Sequence, residues 1–574
     1  MERALEMGKT SAAGSFQLLI GVASSTIIMA IGTIILGRIM TTDEYGLYGI
    51  ILIPSTLINL FRDWGINSAM TRYIANFRAT QKEKELQDII VAGLVFEFAA
   101  GLALSFLSLL LATFIASTVF NRPESASYIA IMSVSIIAGS ILAASQSGFI
   151  GFERMKLNSF TLICQAITKT AIGPVLVFLS YGILGAVVGY AVSFVAAAII
   201  GVTTFYFILL RPLRKKATSR PNIARTLKTM LNYGVPLSIS AILGGILTQV
   251  YAFMIVPLTS NTMYGNYLTA ANFSVLLTFF TTPIATVLFP AFAKIDPEKE
   301  HDLIKTVFTS SIKYTSILLV PATMILIALS GPIIGTLYGE KYVYGPFFLA
   351  IMVTGSLLVV LGSISAGGLL SGLGNTRIPM YQSIMTIIIG LPLGILFIPM
   401  FGITGLIIAG LLSGIPSMAW GLYWIWKHYK AKAEFQSSAK ILAASTIAAI
   451  LAYLPANCLQ IANWIRLIIG LVVFLTTYVV AAPLIGAVCS EDINNLRIMF
   501  SGMGFVSKIV SLVLGAAEKV AKLARAETWK NTWKHRNNGQ MTTRSRRARA
   551  LLTRQTTLVN PSDNDASYKR TQQT

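Results

Sequence analysis

The sequence is poor in the residue types that enzymes and metal sites need. Its 574 residues include three cysteines and three histidines, and no two cysteines have the CxxC spacing. His301, His428 and His535 are far apart and fall in predicted loops or in the tail, so a histidine-based catalytic or metal site is not expected. The chain also lacks a P-loop, which argues against ATP binding. We therefore predict a protein that is not an enzyme and carries no cofactor and no metal.

Charged residues are scarce as well. Only 12% of the residues are charged and 55% are hydrophobic, and the mean hydropathy is +0.70. A soluble chain could not keep so much apolar surface out of water, so the composition indicates an integral membrane protein. Apolar runs of about 17 to 25 residues recur along the chain, each long enough to cross roughly 30 Å of hydrocarbon as a helix. Barrel strands would be shorter and would alternate in polarity, so the predicted fold class is all-α.

The apolar runs predict about fourteen transmembrane helices. The first run is too long for the apolar region of a signal peptide and is kept as a span. The spans are expected at 14–37, 45–61, 89–118, 127–150, 157–180, 182–210, 229–258, 266–291, 307–329, 345–370, 377–399, 403–426, 438–456 and 463–488.

Basic residues concentrate in every second loop. The basic loops carry Arg62, Arg72, Arg78, Lys82, Lys84, Arg154, Lys156, seven residues between Arg211 and Lys228, Lys294, Lys299, Lys305, Arg377, Lys427, Lys430 and Lys432. The other loops hold little more than Arg38, Arg122 and Lys341. Short cytoplasmic loops gather Lys and Arg, so both termini are predicted to be cytoplasmic in a multi-pass protein of the cell membrane.

The loops and their charges also predict the domain organisation. It comprises an N-terminal six-helix lobe at 10–210, a basic cytoplasmic linker at 211–228, a C-terminal six-helix lobe at 229–427, two additional helices at 438–488, a basic amphipathic interfacial helix at 492–530 and a disordered basic tail at 531–574. The net charge of +22 is explained by cytoplasmic loops and by contact of the C-terminal segment with anionic membrane lipids, not by nucleic acid.

Two short motifs recur at nearly one offset. The sequence from Tyr45 to Tyr48 corresponds to Tyr264 to Tyr267, 219 residues later (264 − 45). The sequence Tyr181 to Gly185 corresponds to Phe401 to Gly405, with an offset of 220 (402 − 182). Each match has the same rank among six spans, so the lobes are parallel repeats that leave a cleft suited to alternating access.

Ionisable residues inside predicted spans are costly and therefore suggest function. Glu97 and Lys169 lie in apolar runs. Either could face an aqueous cleft and contact substrate or couple to an ion, or the two could simply snorkel or pair with each other. Arg62 and Arg72 frame the inner end of the second span, where they suit a phosphate but also fit an ordinary basic loop.

Uncharged polar residues add a weaker signal. Gln249 and Asn272 could hydrogen-bond a hydrophilic cargo or another helix. Asp43 and Glu44 form an adjacent acidic pair that a turn and helix N-cap explain.

The residues from Leu36 through Arg38 and Tyr45 to Tyr73, with the second Tyr-Gly motif, resemble the polysaccharide flippases of the MATE-like MOP transporter superfamily. The resemblance covers roughly residues 10–490. It implies two pseudo-symmetric six-helix bundles around a cavity, and export of an isoprenoid-linked oligosaccharide whose phosphate is held by cavity arginines. Arg38 and Arg72 fall on the family motif. Family members often carry an acidic residue after the glutamine at position 249, but this chain has Val250 and Tyr251.

The topology gives these two arginines different expected roles. Arg38 is expected near the outer side, where substrate is released, and Arg72 near the cytoplasmic side, where substrate is loaded. Glycan assembly enzymes are possible partners of such a flippase. Two alternatives stay open: a cation-coupled multidrug exporter of the same superfamily, which would be expected to carry a carboxylate in its first span, and a non-transporting scaffold or scramblase.

Overall fold

The computed structural model describes residues 2–214, 222–277, 292–375 and 377–500, together with 281, 284, 288, 515, 516, 518 and 519. All regular secondary structure in this part of the chain is helical. The helices are α1 (Glu2–Ile39), α2 (Thr42–Leu60), α3 (Ile66–Ala79), α4 (Glu83–Phe114), α5 (Ala126–Gly151), α6 (Met155–Leu176), α7 (Gly182–Phe205), α8 (Arg211–Arg214), α9 (Ile223–Ile255), α10 (Asn261–Ser274), α11 (His301–Ala328), α12 (Ser330–Leu337), α13 (Gly345–Thr354), α14 (Ser363–Gly372), α15 (Arg377–Tyr429), α16 (Phe435–Cys458), α17 (Asn463–Leu484) and α18 (Ser490–Phe500).

Nine helical segments of the described residues are long and apolar enough to cross a membrane, or ten if the bent pair α13 and α14 counts as one span. The prediction of an all-helical membrane fold is thus confirmed for this part of the chain. Two of the nine segments, Met155–Leu213 and Arg377–Tyr429, have 59 and 53 residues, far more than the roughly 20 that one crossing needs. The count of fourteen spans and the orientation of the termini stay predictions.

Each of these two long segments breaks at a glycine that the sequence repeat aligns. Gly182 has φ 52° and ψ −133°, and Gly402 has φ 57° and ψ −130°. A side chain would be strained at such angles, so glycine is needed at both positions. The shared break supports the internal repeat, and it lies between spans that the sequence predicts as separate.

The structure adds helical features that hydropathy did not predict. Helix α3 lies in a stretch that was expected to be a loop. The hydropathy pattern missed this helix because it is short and amphipathic. Helix α12 is likewise too short to register as a span. The expected tenth span is bent by 56° between α13 and α14, at Gly362, where φ is +96°.

The N-cap of α2 is Thr41, not the acidic pair. Its hydroxyl accepts a hydrogen bond from the backbone N–H of Glu44, and the Glu44 carboxylate accepts one from the backbone N–H of Thr41. This reciprocal pair is a capping box. Asp43 instead accepts hydrogen bonds from Asn261 and Thr262.

Three large hydrophobic cores organise the first half (residues 2–214) and the second half (residues 223–429). One core includes both halves and is rich in tyrosine. This shared core lies toward one set of helix ends, which we call the closed face. The closed face carries residues 37–43, 120–122, 256–262 and 336–342. The opposite ends, which carry residues 61–65, 79–83 and 151–155, are here called the basic face. At the basic face the halves have separate cores. One core is formed by the first half together with the start of α9, and the other is formed by the rest of the second half.

Helices α2 and α10 cross through their glycines. A Cβ at Gly46 would lie 1.7 Å from the carbonyl oxygen of Asn261, and a Cβ at Gly265 would lie 2.3 Å from that of Thr42. Only glycine permits such contact between backbones. Because Gly46 and Gly265 belong to the repeated Tyr-Gly motif, the two halves contact each other through equivalent helices.

The chain divides into compact units at 1–478 and 479–574. In the second unit, α18 covers the first part of the predicted interfacial helix, and Arg497 forms an ion pair with Glu518 at 3.1 Å. The rest of the segment predicted at 492–530, and the tail predicted at 531–574, lie outside the described residues apart from four positions. Part of the predicted linker at 211–228 is helical, in α8 and at the start of α9, and 215–221 also lie outside the description.

Candidate functional site

A cavity of about 970 Å³ lies within the second half and extends to α2 of the first half. Its walls come from α2, α9, α10, α13, α14 and α15. Most of the lining is apolar, and no charged side chain among the described residues lines it. The polar side chains of the lining are Thr56, Thr248, Gln249, Tyr251, Tyr264, Tyr267, Ser363, Gln382, Ser383, Thr386, Ser413 and Ser417.

Two of the glycines that line the cavity face open space. A Cβ added at Gly410 or Gly414 would meet no atom within 4 Å. The repeat offset of 220 aligns these positions with Tyr190 and Phe194, whose rings pack with centroids 5.2 Å apart. At these two positions, the first half therefore carries aromatic rings where the second half has open space.

Hydroxyl and amide groups on α15 are held together along one wall. Gln382 donates a hydrogen bond to the backbone oxygen of Ser417 at 3.0 Å, and the Thr386 hydroxyl donates to the Ser417 hydroxyl at 2.8 Å. Gly421 makes room for Gln382, because a Cβ there would lie 2.1 Å from the Gln382 amide nitrogen. On the opposite wall, Thr56 of α2 donates to Gln249 of α9 at 3.1 Å, so the predicted Gln249 lines the cavity and links the two halves.

Arg122 ties the halves together at the closed face. Its guanidinium donates to the side chain of Asn261 at 2.6 Å and to the backbone oxygens of Val256 and Thr259 at 2.8 and 2.6 Å. Asn261 in turn donates to Asp43 at 3.2 Å. Burial lowers the pKa of Arg122, while Glu124 and Asp43 act in the opposite direction. We call the group of Asp43, Arg122 and Asn261 the closed-face clasp.

Arg38 lies in a second contact at the closed face. It donates to the backbone oxygen of Thr336 at 2.6 Å. Lys341 donates to the backbone oxygens of Arg38 and Met40, and the Tyr342 hydroxyl donates to that of Gly37 at 2.6 Å. Burial lowers the pKa of Lys341; Glu44 raises it and Arg38 lowers it further. Arg38 thus joins the halves and does not line the described cavity.

Asn272 also lies beneath the closed face and away from the cavity lining. Its amide donates to the Tyr45 hydroxyl at 3.0 Å. The Tyr45 ring packs against those of Tyr338 and Tyr342, with centroids 6.2 and 6.0 Å away. Of the two roles considered for Asn272, the structure shows hydrogen bonding between helices.

Arg72 lies at the basic face, again between the halves. Its guanidinium carbon stands 4.3 Å from the centroid of the Tyr233 ring, a cation–π contact. Nearby, Gly65 and Gly234 approach so closely that a Cβ at position 65 would lie 2.1 Å from the Gly234 oxygen. The Ser238 hydroxyl donates to the backbone oxygen of Asp63 at 2.6 Å. The two arginines on the family motif therefore lie at contacts between the halves, on opposite faces.

Glu97 and Arg62 form a buried pair inside the first half. The Glu97 side chain has no exposed surface, and its Oε2 lies 3.7 Å from the Arg62 Nε. Asn67 donates to the other carboxylate oxygen at 2.8 Å, and Ser147 donates to Asn67 at 3.0 Å. Glu97 thus pairs with Arg62 and not with Lys169, because α4 places it against the end of α2.

Lys169 lies on α6 with its Nζ 4.7 Å from the centroid of the Tyr190 ring. Of the seven predicted site residues, only Gln249 lines the described cavity. Sequence reasoning missed Gln382, Thr386, Ser417 and the clasp residue Arg122. A signal existed for Gln382 and Thr386, since polar residues four apart lie on one face of a helix. A signal also existed for Arg122, which is one of the few basic residues outside the basic loops.

Comparison with known proteins supports this fold. Residues 11–296 match the family model described as "Polysaccharide biosynthesis protein". The probable low-salt glycan biosynthesis flippase Agl15 of Haloferax volcanii is 23% identical over 186 residues, 32% of this chain and 39% of that protein. The lipopolysaccharide biosynthesis protein WzxC of Escherichia coli is 23% identical over 364 residues, 61% of this chain and 66% of that protein.

Solved structures share the architecture. Lipid II flippase MurJ, in an inward closed conformation, superposes with a TM-score of 0.65 at 18% identity and covers 81% of this chain and 98% of its own. An inward-facing multidrug resistance MATE transporter of the MOP superfamily gives a TM-score of 0.59 at 15% identity, over 71% of this chain and 96% of its own.

The fold defines the class: a membrane protein that is all-helical in the part of the chain that the structure describes, with two repeated halves and a cavity in the second half that extends to α2. The family model and the relatives then give the resemblance. Residues 11–296 match the polysaccharide biosynthesis protein family, and the chain resembles the polysaccharide flippases of the MOP superfamily in sequence and in fold.

Proposed function

We propose that the protein flips an isoprenoid (poly)phosphate-linked oligosaccharide from the cytoplasmic to the outer leaflet by alternating access. The product would serve assembly of cell-surface polysaccharide or glycoprotein. The observation that carries the proposal is the cavity of about 970 Å³, with hydroxyl and amide groups on apolar walls. The names of the relatives, a glycan biosynthesis flippase and a lipopolysaccharide biosynthesis protein, support the substrate class.

The chemistry of the lining suits an uncharged glycan. A sugar headgroup that entered hydrocarbon would leave many hydroxyls without hydrogen-bond partners. Groups such as Gln249, Gln382 and Thr386 offer donors and acceptors, while apolar walls suit the faces of sugar rings. A path of this kind lowers the barrier for the headgroup, and the isoprenoid tail can stay in the bilayer.

The arrangement of the cores supports alternating access. A shared core, the clasp and the Gly46–Gly265 crossing join the halves at the closed face. At the basic face, most of the second half has a core of its own. With the basic face in the cytoplasm, as the positive-inside rule predicts, this is the state that loads substrate.

One feature weighs against a cation-coupled multidrug exporter. No carboxylate among the described residues lines the cavity. Glu97, a carboxylate within a helix of the first half, faces Arg62 and Asn67. A cationic drug would therefore meet no opposite charge in the described lining.

Reconstitution in lipid vesicles tests the proposal. Vesicles would contain a fluorescent lipid-linked oligosaccharide, and transfer would be measured as protection from a membrane-impermeant reagent outside. We expect transfer above empty vesicles, lost at least tenfold in Gly410→Tyr, because the new ring fills the cavity as Tyr190 fills the first half. Gly410→Ala is the matched control and should keep transfer.

The alternatives predict other outcomes. Transfer equal to that of empty vesicles would indicate a scaffold and refute the proposal. Equal transfer of phospholipids without glycans would indicate a scramblase. Unchanged transfer in Gly410→Tyr would show that the glycan does not pass through this cavity.

A further inference from the structure

A second, smaller cavity of about 200 Å³ lies at the closed face. Its walls come from α12, from the connection between α12 and α13, and from the adjoining ends of α16 and α17. Two of its lining glycines face open space, because a Cβ at Gly331 or Gly339 would meet no atom within 4 Å. The volume equals that of about seven water molecules in the liquid. This small cavity can therefore hold a compact polar group but not an oligosaccharide.

Arg466 brings a positive charge to the small cavity. It lies in the first turn of α17 and lines the cavity wall. The side chain is partly buried, and its Nε is buried without a hydrogen-bond partner. Across the described residues, the guanidinium forms neither an ion pair nor a hydrogen bond. Donors that are withdrawn from water and left unsatisfied are costly, so an anionic group in the cavity would stabilise this arginine.

Glu340 brings a negative charge to the same cavity. It lies in the connection between α12 and α13, and its Oε1 accepts a hydrogen bond from the Asn463 side chain at 3.1 Å. Within the described ranges Glu340 forms no ion pair, so it does not pair with Arg466 on the other wall. Two opposite charges thus line one small cavity without neutralising each other. A group that carries both an anion and an ammonium would contact both.

The surroundings of the small cavity are those of a membrane interface. Val343 lines the cavity and is 73% exposed, and nearby Phe347 and Trp464 are 52% and 57% exposed. Exposed apolar side chains of a membrane protein face lipid, and tryptophan is enriched at the level of the headgroups. Trp464 follows Asn463, a residue of the cavity wall. The cavity therefore opens where the headgroups of one leaflet lie.

The small cavity also adjoins a contact between the halves. Tyr342 lines it, and the Tyr342 hydroxyl donates to the backbone oxygen of Gly37 at 2.6 Å. Glu340 immediately precedes Lys341, which donates to backbone oxygens at the end of α1. A group bound in the cavity would therefore contact the same connection that joins the halves at the closed face.

We propose that the small cavity binds the headgroup of a membrane phospholipid that carries a primary amine, with Arg466 on the phosphate and Glu340 on the ammonium. A phosphoethanolamine group matches the two charges, and its size suits a space of about seven waters. The ligand is a lipid of the surrounding bilayer and not the transported carrier, because a diphosphate would place further negative charge beside Glu340. The inference does not rest on the proposed function.

Short-chain lipids test the site by direct binding. The purified full chain in detergent would be titrated with dihexanoyl phosphatidylethanolamine, dihexanoyl phosphatidylglycerol and phosphate-free dihexanoylglycerol, with binding followed by calorimetry. We expect wild type to bind the phosphatidylethanolamine most tightly. Arg466→Met should weaken that binding by about ten- to a hundredfold, the usual effect of a lost charged hydrogen bond. Arg154→Met, which removes an exposed arginine at the basic face, is the matched control and should bind as wild type does.

Further variants separate the two charges and the space. Glu340→Gln keeps the shape and should abolish the preference for phosphatidylethanolamine over phosphatidylglycerol. Arg466→Lys keeps the charge and should retain part of the affinity. Gly331→Phe places a ring where the structure has open space and should abolish binding, whereas Gly331→Ala should retain it. The Tm of each variant checks that it is folded.

Three results would overturn the inference. The first is wild-type affinity for the phosphatidylethanolamine in a folded Arg466→Met protein. The second is equal binding of the phosphatidylethanolamine and dihexanoylglycerol to wild type, since the headgroup would then contribute nothing. The third is binding of free phosphoethanolamine as tight as that of the lipid, which would assign the cavity to a soluble compound.

Discussion

Removal of Arg122 should open the closed face. Arg122 is the first-half member of the clasp, and three of its hydrogen bonds cross to the second half, at 2.6 to 2.8 Å. Arg122→Ala deletes all three and leaves the backbone oxygens of Val256 and Thr259 to water. Because these bonds exist only while the halves are joined, their loss raises the free energy of the closed state and not that of the open state.

The size of the shift follows from the number of bonds. A hydrogen bond to a charged group contributes about 1.5 to 3 kcal/mol net. Three bonds at the lower value would give roughly 4.5 kcal/mol; because three bonds of one guanidinium are not independent, we take about 3 kcal/mol. That energy corresponds to about a 150-fold change in the ratio of open to closed molecules. If about 1% of wild-type molecules are open, the open state becomes the majority.

Spin labels on the two halves would measure the opening. Cysteines would replace the exposed Ser127 and Val343 near the closed face, with Cys164, Cys458 and Cys489 changed to serine. Pulsed electron resonance should give one short distance in wild type and a dominant longer distance in Arg122→Ala. Arg154→Ala, which removes an exposed arginine at the basic face, is the control. Identical distance distributions in Arg122→Ala and wild type would refute a closing role for the clasp.

Two further predictions concern stability and topology. Glu97→Ala leaves the mostly buried Arg62 without its counter-charge and should lower the free energy of unfolding by about 3 kcal/mol, seen as a lower Tm. The double variant Glu97→Leu with Arg62→Leu should lose much less stability. Equal losses in the two variants would contradict a coupled pair. A variant that keeps Cys458 alone, at the exposed end of α16, should react in intact cells with an impermeant maleimide, and labelling only after permeabilisation would reverse the proposed orientation.

Local sequence signals predicted the features that depend on neighbours in the chain. Hydropathy predicted most of the long helices, because burial in a membrane needs only a long apolar run. The predicted span boundaries at 180–182 and 399–403 coincide with the breaks at Gly182 and Gly402, where the backbone angles require glycine. Short amphipathic helices such as α3 and α12 escaped, since their apolar residues are too few to form a span.

Partners across the fold could not be predicted in the same way. The sequence marked Glu97, Lys169 and three arginines as costly or suited to phosphate, but the partner of each depends on which helices pack together. Because α4 packs against α2, Glu97 forms an ion pair with Arg62. Because α9 packs against α3, Arg72 forms a cation–π contact with Tyr233. Packing of α6 against α7 likewise places Lys169 over the Tyr190 ring.

The two repeats contribute equivalent glycines to the contact between them, but the residues in their interiors differ. This difference bears on substrate specificity. The crossing of Gly46 with Gly265 needs glycine on both helices, so neither half can change there without loss of the closed face. The interior carries no such constraint: Tyr190 and Phe194 in one half stand where Gly410 and Gly414 stand in the other. Under the proposed function, substitutions on the cavity wall around Gln382 should therefore change which glycan is accepted.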